Sequence, residues 1–330
     1  MPEFLKKTDP LVLLIVGAVI VAIIIPARGQ FADVFGSLTN IAIAFLFYLY
    51  GARLSPKEAL QGLKNWRLHL TIAAFTFVIY PLIGLTLRPL TAFVSQGIYL
   101  GILFLTLVPS TVNSSVTFTS IAKGNVAGAI VAASLSNLVG VIVTPLLIML
   151  CMGGETAGDE IGGLGGIHID TSVFLEIGLL LLAPFALGQL TRRWTANFAA
   201  KKGTKIVDRA SITMVVYSAF SSGVVAGIWS SIAIGELVFL VLFAIALVAV
   251  MLWLTRFVSR KLGFARADTI AIQFCGSKKS LATGVPMASV IFGSSGTLGL
   301  IILPLMIYHQ VQLMMCSGLA SRYATKARQS

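Results

Sequence analysis

The chain has 330 residues, of which 57% are hydrophobic and only 11% are charged, and its mean hydropathy is +0.95. Soluble domains carry about 25% charged residues, so this composition excludes a soluble globular domain and predicts an all-α polytopic membrane protein. The formal net charge of +12 would suggest a nucleic-acid partner in a soluble protein. Here the basic residues fall in short clusters between apolar runs, which is typical of membrane topology signals and of loops facing lipid. We therefore expect membrane lipid and no nucleic acid as partner.

Ten stretches are long and apolar enough to be candidate membrane spans, which need about 20 mostly apolar residues. Two of them, the fourth and the ninth, are interrupted by polar residues. The first lacks a small-residue cleavage site followed by a soluble domain, so it is predicted to be a span and not a cleavable leader. The ten are Leu11–Ala27, Ser37–Ala52, Leu68–Leu87, Gln96–Ile121, Val126–Met152, Thr171–Leu190, Ile206–Ile228, Glu236–Phe257, Asp268–Phe292 and Thr297–Leu319.

Lysine and arginine residues are distributed unequally between the two sides of these spans. Twenty of the 24 fall at the termini and in one set of alternate loops, whereas the opposite set holds only Arg28 and Arg88. Because loops rich in lysine and arginine stay in the cytoplasm, both termini are predicted to be cytoplasmic.

A glycine-rich, acidic stretch at 153–170 separates five spans in residues 1–152 from five in residues 171–330. It contains Gly162–Gly166, but no lysine follows and no strand precedes, so it is not a phosphate-binding loop. We predict an external flexible linker. Since five is odd, the second half enters the membrane in the opposite sense, which predicts two inverted five-helix repeats.

The interrupted fourth and ninth spans occupy matching places in the two halves. In 108–120, nine of thirteen residues are proline or carry a hydroxyl or amide, and 273–284 contains two lysines, two glycines and several hydroxyls. Paired interruptions of this kind are typical of the binding site of an inverted-repeat transporter. The alternative is that the small hydroxyl residues only allow helices to approach closely.

Lys278 and Lys279 lie in the middle of the ninth span. A lysine near the bilayer centre costs roughly 2.5–3.5 kcal/mol, and an intramembrane charge indicates a functional site. The alternative is that both lysines extend to water from a helix end. Ammonium groups and helix N-termini favour anions, so the predicted substrate is a small organic anion.

The cysteines and histidines do not form a catalytic pattern. Cys151, Cys275 and Cys316 are predicted to be buried free thiols, because their spacing fits neither a metal site nor a disulfide framework. His309 is interpreted as a hydrogen-bonded core histidine in preference to a proton relay. Without a nucleophile–base pair or a metal cluster, the chain is predicted to be neither an enzyme nor a cofactor-binding protein.

Five runs resemble the bile acid:sodium symporter family, and in particular its bacterial branch related to bile acid carrier member seven. They are 50–55 (YGARLS), 65–69 (NWRLH), 109–115 (PSTVNSS), 122–126 (AKGNV) and 274–282 (FCGSKKSLA). The resemblance implies a multi-pass protein of the bacterial inner membrane. Helices 1, 2, 6 and 7 would form a panel and helices 3, 4, 5, 8, 9 and 10 a core, in which the broken helices four and nine cross.

In sodium-coupled relatives, the resemblance implies two sodium ions behind this crossing. The family glutamate falls on Gln273, and the family Gln-Asn pair falls on Ser277 and Lys278. These departures remove a carboxylate and introduce ammonium groups, which argues against sodium coupling. The residues implied as ion-binding or ion-substituting are Ser114, Ser115, Ser134, Ser136, Asn137, Gln273, Lys278 and Lys279. A sodium site at Asn113, Ser114 and Gln273 is the alternative.

The sequence therefore predicts a secondary active transporter that works by alternating access, with its substrate in a polar cavity at the crossing. One ammonium, with Lys278 preferred, would occupy the space of a sodium ion, which makes the carrier proton-coupled or sodium-independent. The alternatives are a sodium-coupled symporter of a bile-acid-like or other organic anion, and a regulatory protein or channel without a transport cycle. The expected substrate contacts are Thr111, Asn113, Ser114, Ser277 and Thr283.

Overall fold

The computed structural model describes residues 10–53, 65–152, 175–201, 203–227, 229, 233–293 and 297–329. These residues form helices joined by short turns, and no strand occurs among them. The predicted linker at 153–170 lies outside the described residues. The helices in chain order are α1 (Pro10–Ile24), α2 (Gly29–Arg53), α3 (Trp66–Ala74), α4 (Tyr80–Thr86), α5 (Gln96–Leu107), α6 (Asn113–Ile121), α7 (Val126–Met152), α8 (Ala183–Ala199), α9 (Thr204–Val225), α10 (Ile234–Lys261), α11 (Arg266–Gly276), α12 (Leu281–Phe292) and α13 (Leu298–Gln329).

Six helical stretches are long and apolar enough to cross a membrane. They are Gly29–Arg53, Trp66–Ala92, Val126–Met152, Leu175–Ala199, Ile234–Lys261 and Leu298–Lys326, and α1 and α5 are shorter apolar helices. The protein is thus an all-helical, multi-pass membrane protein, and the count of ten spans stays a prediction.

Two helices are longer than the apolar runs that predict them. α2 begins at Gly29 and not at Ser37, and α13 continues past Leu319 to Gln329. Hydropathy ends a span where polar residues begin, but a helix continues as long as its backbone hydrogen bonds are made. In α13 the extra turns carry Tyr323, which contacts the functional site described below.

Three stretches of the described residues depart from α geometry, of which one is the short 3₁₀ helix Arg88–Ala92 and two are π-helical. A π-helical turn (Phe75–Ile79) joins α3 to α4, and a second one (Gly178–Leu182) precedes α8. A π-turn leaves a local irregularity in the backbone hydrogen bonds and is frequent at functional sites.

The residues fall into two compact units. The first comprises Met1–Leu54, Asp170–Ala233 and Val285–Leu300. Inside it, α2 and α8 approach closely at Gly51 and Gly188, where an added Cβ would collide with a carbonyl oxygen of the facing helix. The Arg53 guanidinium closes one end of this unit, pairing with Asp208 at 2.7 Å and donating to the Ala199 carbonyl at 2.8 Å.

The second unit comprises Ser55–Ile169, Ile234–Gly284 and Ile301–Ser330. A turn after α6 fixes the start of α7 relative to α11. Lys123 adopts a positive φ of 58°, and Asn125 then donates from its backbone to Ala267 O (2.9 Å) and from its side chain to Asp268 Oδ1 (2.6 Å). Asn125 Oδ1 also accepts from Gly128 N and so caps α7. This turn anchors the helices that carry the site.

Candidate functional site

The chain between α5 and α6 lies against the chain between α11 and α12; we call residues 108–112 and 277–280 the junction. Val108 is extended (φ −74°, ψ 155°) and ends α5. Ser280 N donates to Pro109 O at 2.8 Å, and Ser110 Oγ donates to Cys275 O. From the first turn of α6, Ser115 Oγ donates to Phe274 O at 3.2 Å. Backbone groups that lack a helical partner in one of the two chain segments are therefore hydrogen-bonded by residues of the other segment.

The ammonium of Lys279 is fully buried and donates three hydrogen bonds to carbonyl oxygens. Its Nζ lies 2.9 Å from Thr76 O, 2.8 Å from Thr106 O and 2.8 Å from Val108 O, and 4.2 Å from the centroid of the Tyr80 ring. Thr76 lies in the π-turn, and Thr106 and Val108 lie at the end of α5, where the last carbonyls have no intrahelical partner. An ammonium has three donors, so one side chain satisfies all three.

Lys278 lies in a different environment. Its side chain is also fully buried, but its Nζ has no hydrogen-bond partner among the described residues. It lies 4.0 Å from the centroid of the Phe118 ring and 5.7 Å from that of Phe274. A desolvated cation–π contact is worth about 2 kcal/mol, less than the several kcal/mol it costs to bury an unpaired charge. The sequence favoured Lys278 as the carbonyl-bound ammonium, whereas Lys279 has those contacts in the structure.

Hydroxyl and amide groups line the junction beside these lysines. Thr111 Oγ1 lies 2.7 Å from Ser114 Oγ and 3.0 Å from Ser115 Oγ. On α7, Asn137 donates to Ser110 O at 2.8 Å and accepts from Thr283 Oγ1 at 2.7 Å. These residues were singled out in the sequence, and the structure brings them together.

The remaining candidates on α6 and α7 differ in their surroundings. Ser136 Oγ accepts from Ser110 N at 3.0 Å and so contacts the junction. Ser134 is half-buried, and no described hydrogen bond links its side chain to the junction. Asn113 is exposed at the start of α6, where its carbonyl accepts from Thr117 at 2.8 Å. Its side chain is therefore accessible to a ligand.

Gln273 joins three helices. Its Nε2 donates to Leu252 O on α10 and its Oε1 accepts from Tyr323 Oη on α13, both at 2.8 Å. Ser277 Oγ donates to the Gln273 carbonyl at 2.6 Å. The amide nitrogen and oxygen of Gln273 are thus hydrogen-bonded to α10 and α13. Neither bonds to α6, which carries Asn113 and Ser114 of the alternative sodium site.

Three residues of this site were not predicted from the sequence. Gln312 accepts from Lys279 N and donates to Lys279 O, both at 2.9 Å, and so satisfies the backbone of this residue. The hydroxyls of Tyr80 and Tyr308 lie 2.7 and 2.8 Å from the Ser277 carbonyl. Polar side chains at 308, 309 and 312 share one face of a helix, and this pattern could have indicated from the sequence that this face contacts the site. His309 is buried with its Nδ1 2.8 Å from Gln312 Nε2, as predicted for a hydrogen-bonded core histidine.

Comparison with known proteins identifies relatives along almost the whole chain. The sequence profile of the SBF-like CPA transporter family matches residues 9–325. An uncharacterized protein of Pseudomonas aeruginosa is 45% identical over 98% of this chain and 95% of its own length. "Putative symporter YfeH" of Escherichia coli K12 is 42% identical over 99% of this chain and 96% of its own length. Sodium/bile acid cotransporter 7 of Rattus norvegicus is 30% identical over 86% of this chain and 82% of its own length.

The resemblance predicted from the five sequence runs is thereby confirmed. The Escherichia coli and rat relatives are named as a symporter and a cotransporter and not as enzymes. The chain belongs to the SBF-like CPA transporter family.

Proposed function

We propose that this protein is a secondary active transporter that carries a small organic anion by alternating access, with the substrate bound at the junction. The observation that carries the proposal is the Lys279 ammonium, bound by three carbonyl oxygens between the ends of two interrupted spans. In transporters, unwound backbone carbonyls of this kind coordinate the coupling cation. A lysine ammonium supplies the same charge from the chain itself.

The proposed substrate is anionic because positive charge dominates the junction. Two buried ammonium groups lie there, and α6 and α12 begin beside it with their N-termini, which carry about half a positive charge each. The proposed contacts are Thr111, Asn113, Ser114, Ser277 and Thr283. The exposed amide of Asn113 and the hydroxyl pair of Thr111 and Ser114 offer donors to a carboxylate or a similar group.

For the architecture, we propose ten spans in two inverted repeats, with both termini in the cytoplasm of a bacterial inner membrane. The panel would be formed by the first, second, sixth and seventh spans. The grouping of 1–54 with 170–233 in one compact unit, which also contains Val285–Leu300, supports the association of these four spans. The ends of α5 at Leu107 and α11 at Gly276, within corresponding spans of the two halves, support the proposal that spans four and nine are broken and cross.

For the coupling, we propose that transport does not require sodium. Lys279 fills the carbonyl-lined position, and Gln273 offers an amide where a carboxylate would be needed. Lys278, buried without a hydrogen-bond partner among the described residues, is the proposed proton-carrying group, since ionisable side chains inside a membrane mark ion and proton pathways. The second candidate is sodium-coupled symport of a bile-acid-like anion, which the name of the rat relative favours.

Transport assays on purified protein test this function. Organic anions are first screened for thermal stabilisation, since a ligand that binds only the folded state stabilises it by RT ln(1 + [L]/Kd). The best ligand is then used for uptake and counterflow in proteoliposomes, with sodium or choline as the external cation. We expect concentrative uptake and counterflow that are equal in both salts. Uptake that requires sodium would favour the second candidate, and the absence of counterflow would contradict a carrier.

One variant pair tests the substrate site. Asn113→Leu should abolish ligand stabilisation while leaving the protein folded. Thr117→Val, on an exposed neighbour whose hydroxyl bonds only within α6, is the matched control and should bind normally. Equal ligand binding by both variants would remove Asn113 from the site.

A further inference from the structure

A cavity outside the junction lies along the last turns of α10. It has a volume of about 540 Å³, and its described lining consists of Trp253, Arg256, Phe257, Arg260 and Lys261. Three of these five side chains are cationic and two are aromatic, and none is acidic. The charge distribution of the sequence predicts that this end of the span is cytoplasmic.

The aromatic residues form a stacked pair at the protein surface. The rings of Trp253 and Phe257 lie 5.2 Å apart at 12°, and the two residues are 62% and 45% exposed. Lys261 Nζ lies 5.9 Å from the Phe257 centroid. Aromatic side chains of this kind sit at the level of lipid headgroups, with the apolar ring against the acyl chains. Basic residues placed just beyond them meet the phosphates.

We propose that this cavity binds the phosphodiester headgroup of an anionic phospholipid, with Trp253 and Phe257 against the upper part of the acyl chains. A free phosphate would pair with the cations equally well, but it has no apolar part that could pack against the exposed rings of Trp253 and Phe257. The combination of three cations with an exposed apolar platform therefore selects the lipid.

Hydrogen bonds connect the site to Gln273, whose carbonyl accepts from Ser277 of the junction. Arg256 Nη1 donates to Tyr323 Oη at 2.9 Å, and Tyr323 Oη donates to Gln273 Oε1 at 2.8 Å. The Arg256 guanidinium also lies 5.4 Å from the centroid of the Tyr323 ring. A headgroup that fixes Arg256 thus fixes Tyr323 and the helix that ends beside Lys278. We infer that the bound lipid stabilises the arrangement of α10, α11 and α13.

The test measures lipid binding to the full-length protein in mild detergent by native mass spectrometry. Phosphatidylglycerol should bind more tightly than phosphatidylcholine. The double variant Arg260→Gln/Lys261→Gln leaves Arg256 and its hydrogen bond in place. It should weaken phosphatidylglycerol binding by about thirtyfold, since two basic residues near a lipid surface together contribute about 2 kcal/mol. Lys205→Gln/Arg322→Gln, an equal charge change at exposed positions outside the cavity, should leave this binding unchanged.

Two further arms separate the lipid from other sources of phosphate. Trp253→Ala keeps all three cations and should still weaken phosphatidylglycerol binding. Inorganic phosphate and glycerol phosphate at the same concentration should not displace the lipid. Equal loss in the cavity and control variants, unchanged binding in Trp253→Ala, or displacement by free phosphate would each overturn the proposal.

Discussion

Lys278 and Lys279 are adjacent in the sequence, yet their buried ammonium groups have opposite hydrogen-bonding states. Lys279 donates to three carbonyl oxygens, whereas Lys278 lies over the Phe118 ring without a hydrogen-bond partner among the described residues. The first arrangement is typical of a structural cation, and the second of a charge that is kept for a ligand or for proton exchange. The two lysines should therefore respond differently to mutation.

Lys279→Ala should destabilise the protein and make its stability depend on sodium. Three buried carbonyl oxygens lose their donor, and each unsatisfied buried group costs about 1–3 kcal/mol, so the free energy of unfolding should fall by at least about 3 kcal/mol. The space left by the ammonium should accept a sodium ion. Thermal unfolding in sodium and in choline should then show sodium stabilisation of this variant alone. A sodium response of equal size in the unmodified protein would contradict the substitution of sodium by lysine.

Lys278→Met should fold at least as well as the unmodified protein but lose transport. The change removes a buried charge without a hydrogen-bond partner among the described residues and keeps an apolar chain of similar size, so the free energy of unfolding should rise by about 1–2 kcal/mol. Uptake should fall by about tenfold or more, and the pH dependence of uptake in the unmodified protein should disappear. Lys205→Met, at an exposed position, is the control. Full uptake by the Lys278→Met protein would rule out the proposed role.

Thr283→Val should weaken the link between α7 and α12. The hydroxyl of Thr283 donates to Asn137 Oδ1 at 2.7 Å, and its removal leaves a half-buried amide oxygen without this donor. The free energy of unfolding should decrease by about 1–2 kcal/mol, which chemical denaturation can measure. Thr213→Val removes a hydroxyl that bonds only to its own helix, at Arg209 O, and should change stability much less. Equal effects of the two substitutions would show that the Asn137–Thr283 bond contributes nothing specific.

Gly140→Ala should disturb the junction from the side of α7. A Cβ at Gly140 would lie 2.7 Å from Cβ and 2.9 Å from Cγ of Pro109, and the proline ring cannot rotate away. We expect a loss of about 1–3 kcal/mol in the free energy of unfolding, as for other overpacked cores. Gly318 on α13 has open space around it, so Gly318→Ala should stabilise the protein by about 0.5–1 kcal/mol. Melting temperatures of the two variants should therefore move in opposite directions.

The predicted topology can be tested by labelling from either side of the membrane. Leu164→Cys, within the predicted external linker, should react with an impermeant thiol reagent added outside intact cells. Lys205→Cys should react only after the cytoplasmic side is opened. The three native cysteines are buried and free, so their background labelling should be low. Labelling of position 164 only from the cytoplasm would overturn the inverted arrangement of the two halves.

Some helix ends could be predicted from the sequence because they are determined by the residues next to them. The start of α7 coincides with the predicted Val126, since a charged and polar turn precedes this apolar run. Hydropathy could not predict that α13 continues to Gln329, because the side chains of its last turns are mostly polar and exposed or half-buried where they are described.

Assigning the two lysines needed tertiary structure. Adjacent lysines have the same composition and hydropathy, and only the position of the π-turn and of the end of α5 determines which ammonium meets carbonyl oxygens. Thr76 supplies one of these oxygens from a span more than two hundred residues away in sequence. Gln312 was missed for a related reason, since a single amide in an apolar helix does not reveal which backbone it will satisfy.

The double hydrogen bonding of Gln273 has an evolutionary consequence. The resemblance places a glutamate of the sodium-coupled relatives at this position. A carboxylate here can still accept from Tyr323, but it has no hydrogen to donate to Leu252 O and would set a negative charge beside that oxygen. Replacing Lys279 first would instead leave three carbonyl oxygens without a donor. Each order of substitution passes through a less stable intermediate, so under the proposed sodium-independent mechanism we expect that sodium dependence cannot be acquired by single selectable steps, even in a sodium-rich habitat.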